Sequence, residues 1–304
     1  MKNSSDEIYF NKIACLNENF KVFDEKIKKI LQENSTLLDT HFEKYLSCTS
    51  SKRIRSALIF LTSLTLFGKV TEKAYKAALA VELLHNASLI HDDIIDCASI
   101  RRENPSLNAV FSDKLAVIAG DFLFSLAFKL IVENNSSDCV LSYIETFKKL
   151  CLGEIEQYFK KNQIPTMEEY IEKSANKTAS LFKIGIESAF RGEVNDSELK
   201  KLEEFALNFG IAFQLNNDLK NILNGAKDFN DGIYTAAIIY ANEKDKNILQ
   251  AQNLIAALEK TGAINAVKEL ISRYVKTSVD NLSFLGDNDY KFTLISICKY
   301  PEEF

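Results

Sequence analysis

Apolar residues recur along most of this chain with the rhythm of an α-helix. Between Glu72 and Asp96, the residues Tyr75, Ala78, Leu79, Leu83, Ala87, Ile90 and Ile94 keep a spacing near 3.6, with no Gly or Pro to interrupt them. That spacing predicts a helix of about seven turns, long for a globular protein. Similar helices are predicted over Ser112–Glu133, Ser142–Lys161, Met167–Phe190, Asp196–Leu223 and Leu254–Ser278. Several carry apolar residues on more than one face, as in AVIAGDFLFSLAFKLIV (116–132), which marks interior helices. Strands need turn residues every ten positions or so, and the whole chain has only 3 prolines and 10 glycines. The expectation is an all-α, single-domain helical bundle over 1–304, with central helices wrapped by others. The polar stretch at about 1–15 is expected to be a loose tail.

Composition narrows the possibilities. The chain has 304 residues, 46% of them hydrophobic, enough for a sizeable core. A net charge of −5 gives no basic surface for nucleic acid or an acidic membrane. The start, MKNSSDEIYFNK, has no apolar h-region, and no uninterrupted apolar run is long enough for a membrane span. The 6 cysteines are scattered without a C-x-x-C pair and read as reduced thiols of a cytoplasmic protein.

The stretch SLIHDDIIDCASIRR (88–102) sets three aspartates among Leu89, Ile90, Ile94 and Ile95. On a helix Asp92 and Asp96 share a face one turn apart, with Asp93 beside them, and like charges so placed repel unless a cation joins them. Mg²⁺ takes a few carboxylates together with substrate phosphate oxygens. The pattern therefore points to a metal–diphosphate platform; a merely solvated acidic helix end would not need the apolar flanks. Arg101 and Arg102 offer guanidinium groups to phosphate, as do Lys52, Arg53 and Arg55 in SKRIRSAL. A fainter echo, GIAFQLNNDLKN (210–221), places Asn217, Asp218 and Asn221 at the same i, i+1, i+4 spacing. If the two polar ends faced each other over apolar helices, they would form a charged mouth above a greasy well, suited to a diphosphate with a hydrocarbon tail.

ELLHNASLIHDDIIDCASIRRENPS, with KRIR, NKTASLF and GIAFQLNND in that order, resembles the trans-type polyprenyl diphosphate synthases from Lys52 to the C-terminal helix. The resemblance implies an isoprenoid-synthase bundle with a central apolar cavity, usually a homodimer. It implies Mg²⁺-dependent condensation of isopentenyl diphosphate with an allylic diphosphate. It places Mg²⁺ ligands at Asp92, Asp93 and Asp96, and the isopentenyl diphosphate site at Lys52, Arg55, His85 and Arg102. Allylic diphosphate contacts fall on Arg101, Lys177 and Gln214, and Thr178 belongs to the family's Lys-Thr pair. Ala87 and Ser88, five and four residues before Asp92, occupy the positions that limit product length. Both are small, which resembles the long-chain synthases of quinone side chains.

The sequence also departs from the pattern. The second motif carries Asn217, Asp218 and Asn221 where the family has three aspartates, and amide oxygens bind Mg²⁺ more weakly. Ile233 follows Gly232 where the family has lysine, Glu103 replaces a glycine, and the loop between Asn221 and Asp228 is short. Two other readings share these features. One is a non-catalytic partner subunit of a hetero-oligomeric synthase, which would be expected to have a damaged first motif. The other is a class I terpene cyclase, which would have little use for Lys52, Arg55 and His85.

Overall fold

The computed structural model describes residues 9, 11–34, 52–101, 104–134 and 137–302. The principal helices are α1 (Asn17–Asn34), α2 (Ile54–Phe67), α3 (Glu72–Ile95), α4 (Asp113–Asn134), α5 (Ser137–Phe159), α6 (Met167–Ser174), α7 (Ser180–Phe190), α8 (Asp196–Leu223), α9 (Ala236–Lys244), α10 (Leu254–Thr261), α11 (Ala263–Asp280) and α12 (Asp289–Cys298). Among the described residues the sheet content is one two-stranded ribbon, Ile100–Arg101 against Asn104–Pro105. The predicted all-α class is the observed one.

Two of the predicted helices divide. Leu254–Ser278 breaks at Gly262, whose φ of +72° places it in the left-handed region and ends α10. Met167–Phe190 is interrupted by one turn of π-helix over Ala175–Ala179. α1, α2, α9 and α12 were not among the predicted helices. α2 is apolar nearly all round, so it has no amphipathic stripe to read.

The chain groups into two compact units. The first comprises Met1–Val140, Ser188–Glu193 and Gly286–Leu294; the second comprises Leu141–Glu187, Val194–Leu285 and Ile295–Phe304. In the first unit α3 starts at a Thr71 cap, whose hydroxyl accepts from Ala74 N at 3.1 Å. α3 packs along α4, and at Gly120 a Cβ would stand 2.3 Å from His91 Nε2. His91 also lies 3.2 Å from the Val117 carbonyl and 3.6 Å from Asp121, and its ring meets Phe124. Phe20, Phe23, Phe60 and Tyr75 form an aromatic cluster beneath α1 and α2. α4 is long and apolar enough to cross a membrane by length and composition alone, although it holds Asp121 and Lys129 and about two-fifths of its apolar window is buried in the protein (39%).

In the second unit α8 opens with a capping box between Asn195 and Glu198. It packs on α11 over a core that includes Leu215, Leu219, Ile238 and Ile271. Gly210 of α8 lies directly on the π turn: a Cβ there would stand 2.5 Å from Ala179 Cα. This close approach sets the side chains of the π turn against α8.

Candidate active site

In the first unit, the last turn of α3 separates the three aspartates. Asp92 is half-buried and Asp96, at the C-cap, is exposed. Asp93 turns inward and is only 1% exposed. Its Oδ1 accepts from Arg101 Nε at 2.7 Å and from Arg101 Nη2. This is charge-assisted pairing from one fork of a guanidinium. The turn that makes it possible is local: Cys97 adopts φ 51°, and Ala98 N donates to the Asp93 carbonyl at 2.8 Å. Ser106 Oγ then donates to Ala98 O at 2.7 Å and ties down the base of the ribbon that carries Arg101. Arg101, assigned above to diphosphate, here has its guanidinium on Asp93. Arg102 lies outside the described residues.

The residue types at this turn are those a hard cation takes: Asp92 and Asp96 stand one helical turn apart in the sequence, and Asp93 Oδ2 is buried with no hydrogen-bond partner among the described residues. They are not drawn together, for among the described residues no three His, Cys, Asp or Glu side chains form a group that could hold a metal ion, and Asp93 is turned onto Arg101.

Upstream on α3, Ala87 is fully buried and Ser88 half-buried, its hydroxyl donating to the His85 carbonyl at 2.8 Å. His85 is half-buried. Of the basic cluster, Arg53 is occupied structurally: it pairs with Asp24 at 2.5 Å and lies over the rings of Phe20 and Phe23. Lys52 and Arg55, on either side of it, are half-buried. Tyr9 fixes the backbone there by donating to Lys52 O at 2.8 Å.

The second unit joins three of the other predicted residues, Thr178, Gln214 and Asp218, in one hydrogen-bonded chain. Thr178 Oγ1 donates to Gln214 Oε1 at 2.6 Å, Gln214 Nε2 donates to Asp218 Oδ1 at 2.6 Å, and Tyr170 OH donates to Asp218 Oδ2 at 2.6 Å. Burial is the largest influence on Asp218 and pushes its carboxyl up to about 6; the Tyr170 hydrogen bond opposes the rise and the charge of Asp228 adds to it. Burial, then the Asp218 charge, raises the Tyr170 hydroxyl well above its usual value. Lys177 is ion-paired with Glu154. Burial, with repulsion from Lys177, lowers Lys173, while Asp218, Glu154 and Asp228 attract it.

Of the two amides in this motif, Asn217 is exposed. Asn221 has a structural task, since its Oδ1 accepts from Asp228 N at 3.2 Å and its carbonyl from Ala226 N at 2.9 Å, closing the short loop. Ile233, at the family's lysine position, is half-buried and its N–H donates to Asp228 O at 2.8 Å.

Tyr170, Lys173, Glu154 and Asp228 were not singled out from the sequence. For Tyr170 a signal existed, because it shares a helical face with Ser174 and Thr178 at steps of four.

The polyprenyl synthetase family model matches residues 36–274. The geranylgeranyl diphosphate synthase of Saccharolobus solfataricus is 34% identical over 270 residues, covering 84% of this chain and 77% of that protein. A decaprenyl diphosphate synthase from Rhodobacter capsulatus superposes with a TM-score of 0.88 at 22% identity, covering 97% of this chain and 98% of that one. A polyprenyl synthase from Caulobacter crescentus, complexed with calcium and isoprenyl diphosphate, gives 0.83 at 22% identity, with coverage of 97% and 98%. The chain belongs to the polyprenyl synthetase family and has the all-α isoprenoid-synthase fold. It is an enzyme of the prenyltransferase type, acting on isoprenoid diphosphates, in a family that is generally metal-dependent.

Proposed function

We propose that this chain is a Mg²⁺-dependent trans-prenyltransferase that condenses isopentenyl diphosphate with an allylic diphosphate into a long-chain product for quinone side chains. The observation that carries the reading is the last turn of α3, where Asp92 and Asp96 end a helix whose upstream positions, Ala87 and Ser88, are small. Mg²⁺ held by Asp92 and Asp96, with Asp93 beneath them, would supply positive charge to the departing diphosphate. The weaker ligands Asn217, Asp218 and Asn221 belong to the same assignment. Lys177 and Gln214 orient the allylic diphosphate, with Thr178 holding the Gln214 amide in place. Arg101 moves from Asp93 to the diphosphate when substrate arrives, and Arg102, Lys52, Arg55 and His85 hold isopentenyl diphosphate. The allylic C–O bond breaks, its electrons leave with pyrophosphate, and the double bond of isopentenyl diphosphate closes on the cation. Loss of a proton to the departing pyrophosphate completes the step. Apolar walls keep water from the cation.

The calcium and isoprenyl diphosphate named for the Caulobacter relative support this ligand class. The relatives' names run from geranylgeranyl to decaprenyl, so the long-chain reading stands on Ala87 and Ser88. We further propose a single prenyl-synthase domain working in the cytoplasm as a homodimer. The family model spans segments of both units, and exposed apolar side chains such as Ile118 on α4 and Leu141 and Ile155 on α5 offer surface for a second copy. Incubating the purified protein with Mg²⁺, farnesyl diphosphate and labelled isopentenyl diphosphate tests the activity. Long-chain products are expected. Absence of product would point to a non-catalytic partner subunit, and a cyclic hydrocarbon made from the allylic substrate alone would point to a cyclase.

A further inference from the structure

The second motif has lost two negative charges, yet the charge of what remains, Asp218, acts on a lysine that makes no hydrogen bond or ion pair among the described residues. Lys173 and Lys177 lie four residues apart, three positions after Tyr170 and Ser174 respectively, on a segment whose Tyr170 and Thr178 reach Asp218 and Gln214. Lys177 is secured by Glu154. Lys173 is half-buried, and among the described residues it makes no hydrogen bond or ion pair, although the charges of Asp218, Glu154, Asp228 and Lys177 all act on it. Each Asp218 oxygen already accepts one hydrogen bond, from Tyr170 and from Gln214. Two ammonium groups on one helical side repel each other, and a half-buried one gains from an anion that touches both.

We infer that Lys173 is a direct ligand of the allylic diphosphate, sharing that anion with Lys177. This rests on the function proposed above and adds to it a residue at the same site. It also accounts for the local charges. With Asn217 and Asn221 neutral, less positive charge can be brought in through metal ions, and an ammonium supplies it directly. Asp228, whose charge acts on Lys173, accepts at its backbone carbonyl from Ile233 N at 2.8 Å, at the position where the family has lysine. A lysine serving only to offset the repulsion between Asp218 and Asp228 would support folding but would not distinguish between substrates.

Steady-state kinetics of Lys173→Gln, with Lys173→Arg beside it, separates these roles. The KM for the allylic diphosphate should rise roughly ten- to hundredfold in Lys173→Gln, the range for losing one charge-assisted hydrogen bond. The KM for isopentenyl diphosphate should stay unchanged, and Lys173→Arg should restore most of the loss. Calorimetric binding of inorganic pyrophosphate to each protein should weaken in parallel. An unchanged allylic KM with a lowered unfolding midpoint overturns the inference and leaves Lys173 a counter-ion. If the wild-type chain forms no prenyl product, the proposed function fails instead, and pyrophosphate calorimetry still decides whether Lys173 binds a diphosphate. Lys173→Met, which keeps the stem without the charge, carries the test should the Gln variant not fold.

Discussion

The last turn of α3 and the last two turns of α8 carry the same i, i+1, i+4 spacing of polar residues and use it differently. On α3 all three positions are carboxylates; the middle one is buried and paired with Arg101, while Asp92 and Asp96 remain on the outer side. On α8 only the middle position is a carboxylate, and it is tied by Tyr170 and Gln214. Asn217 is exposed and Asn221 closes a loop. In both turns the inner acid is held by a neighbour, so what distinguishes them is the charge on the outer pair. A cation should be gripped strongly by the first turn and loosely by the second.

The sharpest test of that difference is at Asp92. Asp92→Asn is expected to lower turnover roughly a thousandfold or more, the scale of losing a metal that stabilises a leaving group, while circular dichroism shows an intact fold. Asp218→Asn should cost less than Asp92→Asn under saturating Mg²⁺. Equal losses would erase the distinction between the two turns.

A second test concerns the helix above the first turn. Ala87→Phe should shift the product from long chains to farnesyl or geranylgeranyl length while the first condensation persists. Chromatography of dephosphorylated products reads this directly. Ala87 is fully buried, so overpacking should also cost about 1–3 kcal/mol of stability. An unchanged long-chain distribution would mean that the tail takes another path.

Tyr170→Phe probes the hold on the inner acid of the second turn. Its hydrogen bond opposes the upward shift of Asp218, so removing it should move that carboxyl above about 6. The sign for stability follows. Because the folded carboxyl titrates above its unfolded value near 4, this group favours folding most below pH ~4, and that contribution is lost as pH rises through about 6. In Tyr170→Phe the loss should extend to higher pH, and in Asp218→Asn it should vanish. Urea unfolding between pH 4.5 and 7.5 measures both, and a pH dependence unaffected by Asp218→Asn would remove Asp218 as its source.

The smallest effect is expected at Asn217. Asn217→Asp should lower the Mg²⁺ concentration for half-maximal rate by roughly a few-fold, since a carboxylate is the better ligand. Asn221→Asp is a poorer choice than the spacing alone suggests, because it sets a new charge against Asp228. A Mg²⁺ dependence that does not move in Asn217→Asp would mean that this residue is not a limiting ligand.

The long helices were legible because their apolar rhythm is uninterrupted. The bounds of α8 match the expectation at both ends, and α3 ends one residue early only because Asp96 caps it. The break at Gly262 could have been read, since a glycine inside a helical pattern commonly ends it. The π turn could not, because its hydrogen-bond register leaves no mark in composition. At the site, residue types were legible and their orientation was not. The inward turn of Asp93 had a signal: it continues the buried series Leu79, Leu83, Asn86 and Ile90 at steps of three and four. Its pairing with Arg101 depends on Cys97 adopting a left-handed backbone, which nothing about cysteine suggests.

The π turn places one more residue between Tyr170 and Phe190 than a continuous α-helix would hold there. Deleting one residue from Ala175–Ala179 would let that turn close as an ordinary α turn and leave the helix downstream in phase. The loss would be local, confined to how Lys177 and Thr178 meet Glu154 and Gln214 where Gly210 lies against Ala179. The same deletion inside α8, a regular helix, would turn everything after it by about 100° about the helix axis. A single-codon deletion is therefore better borne at the π turn than in the helix it packs against.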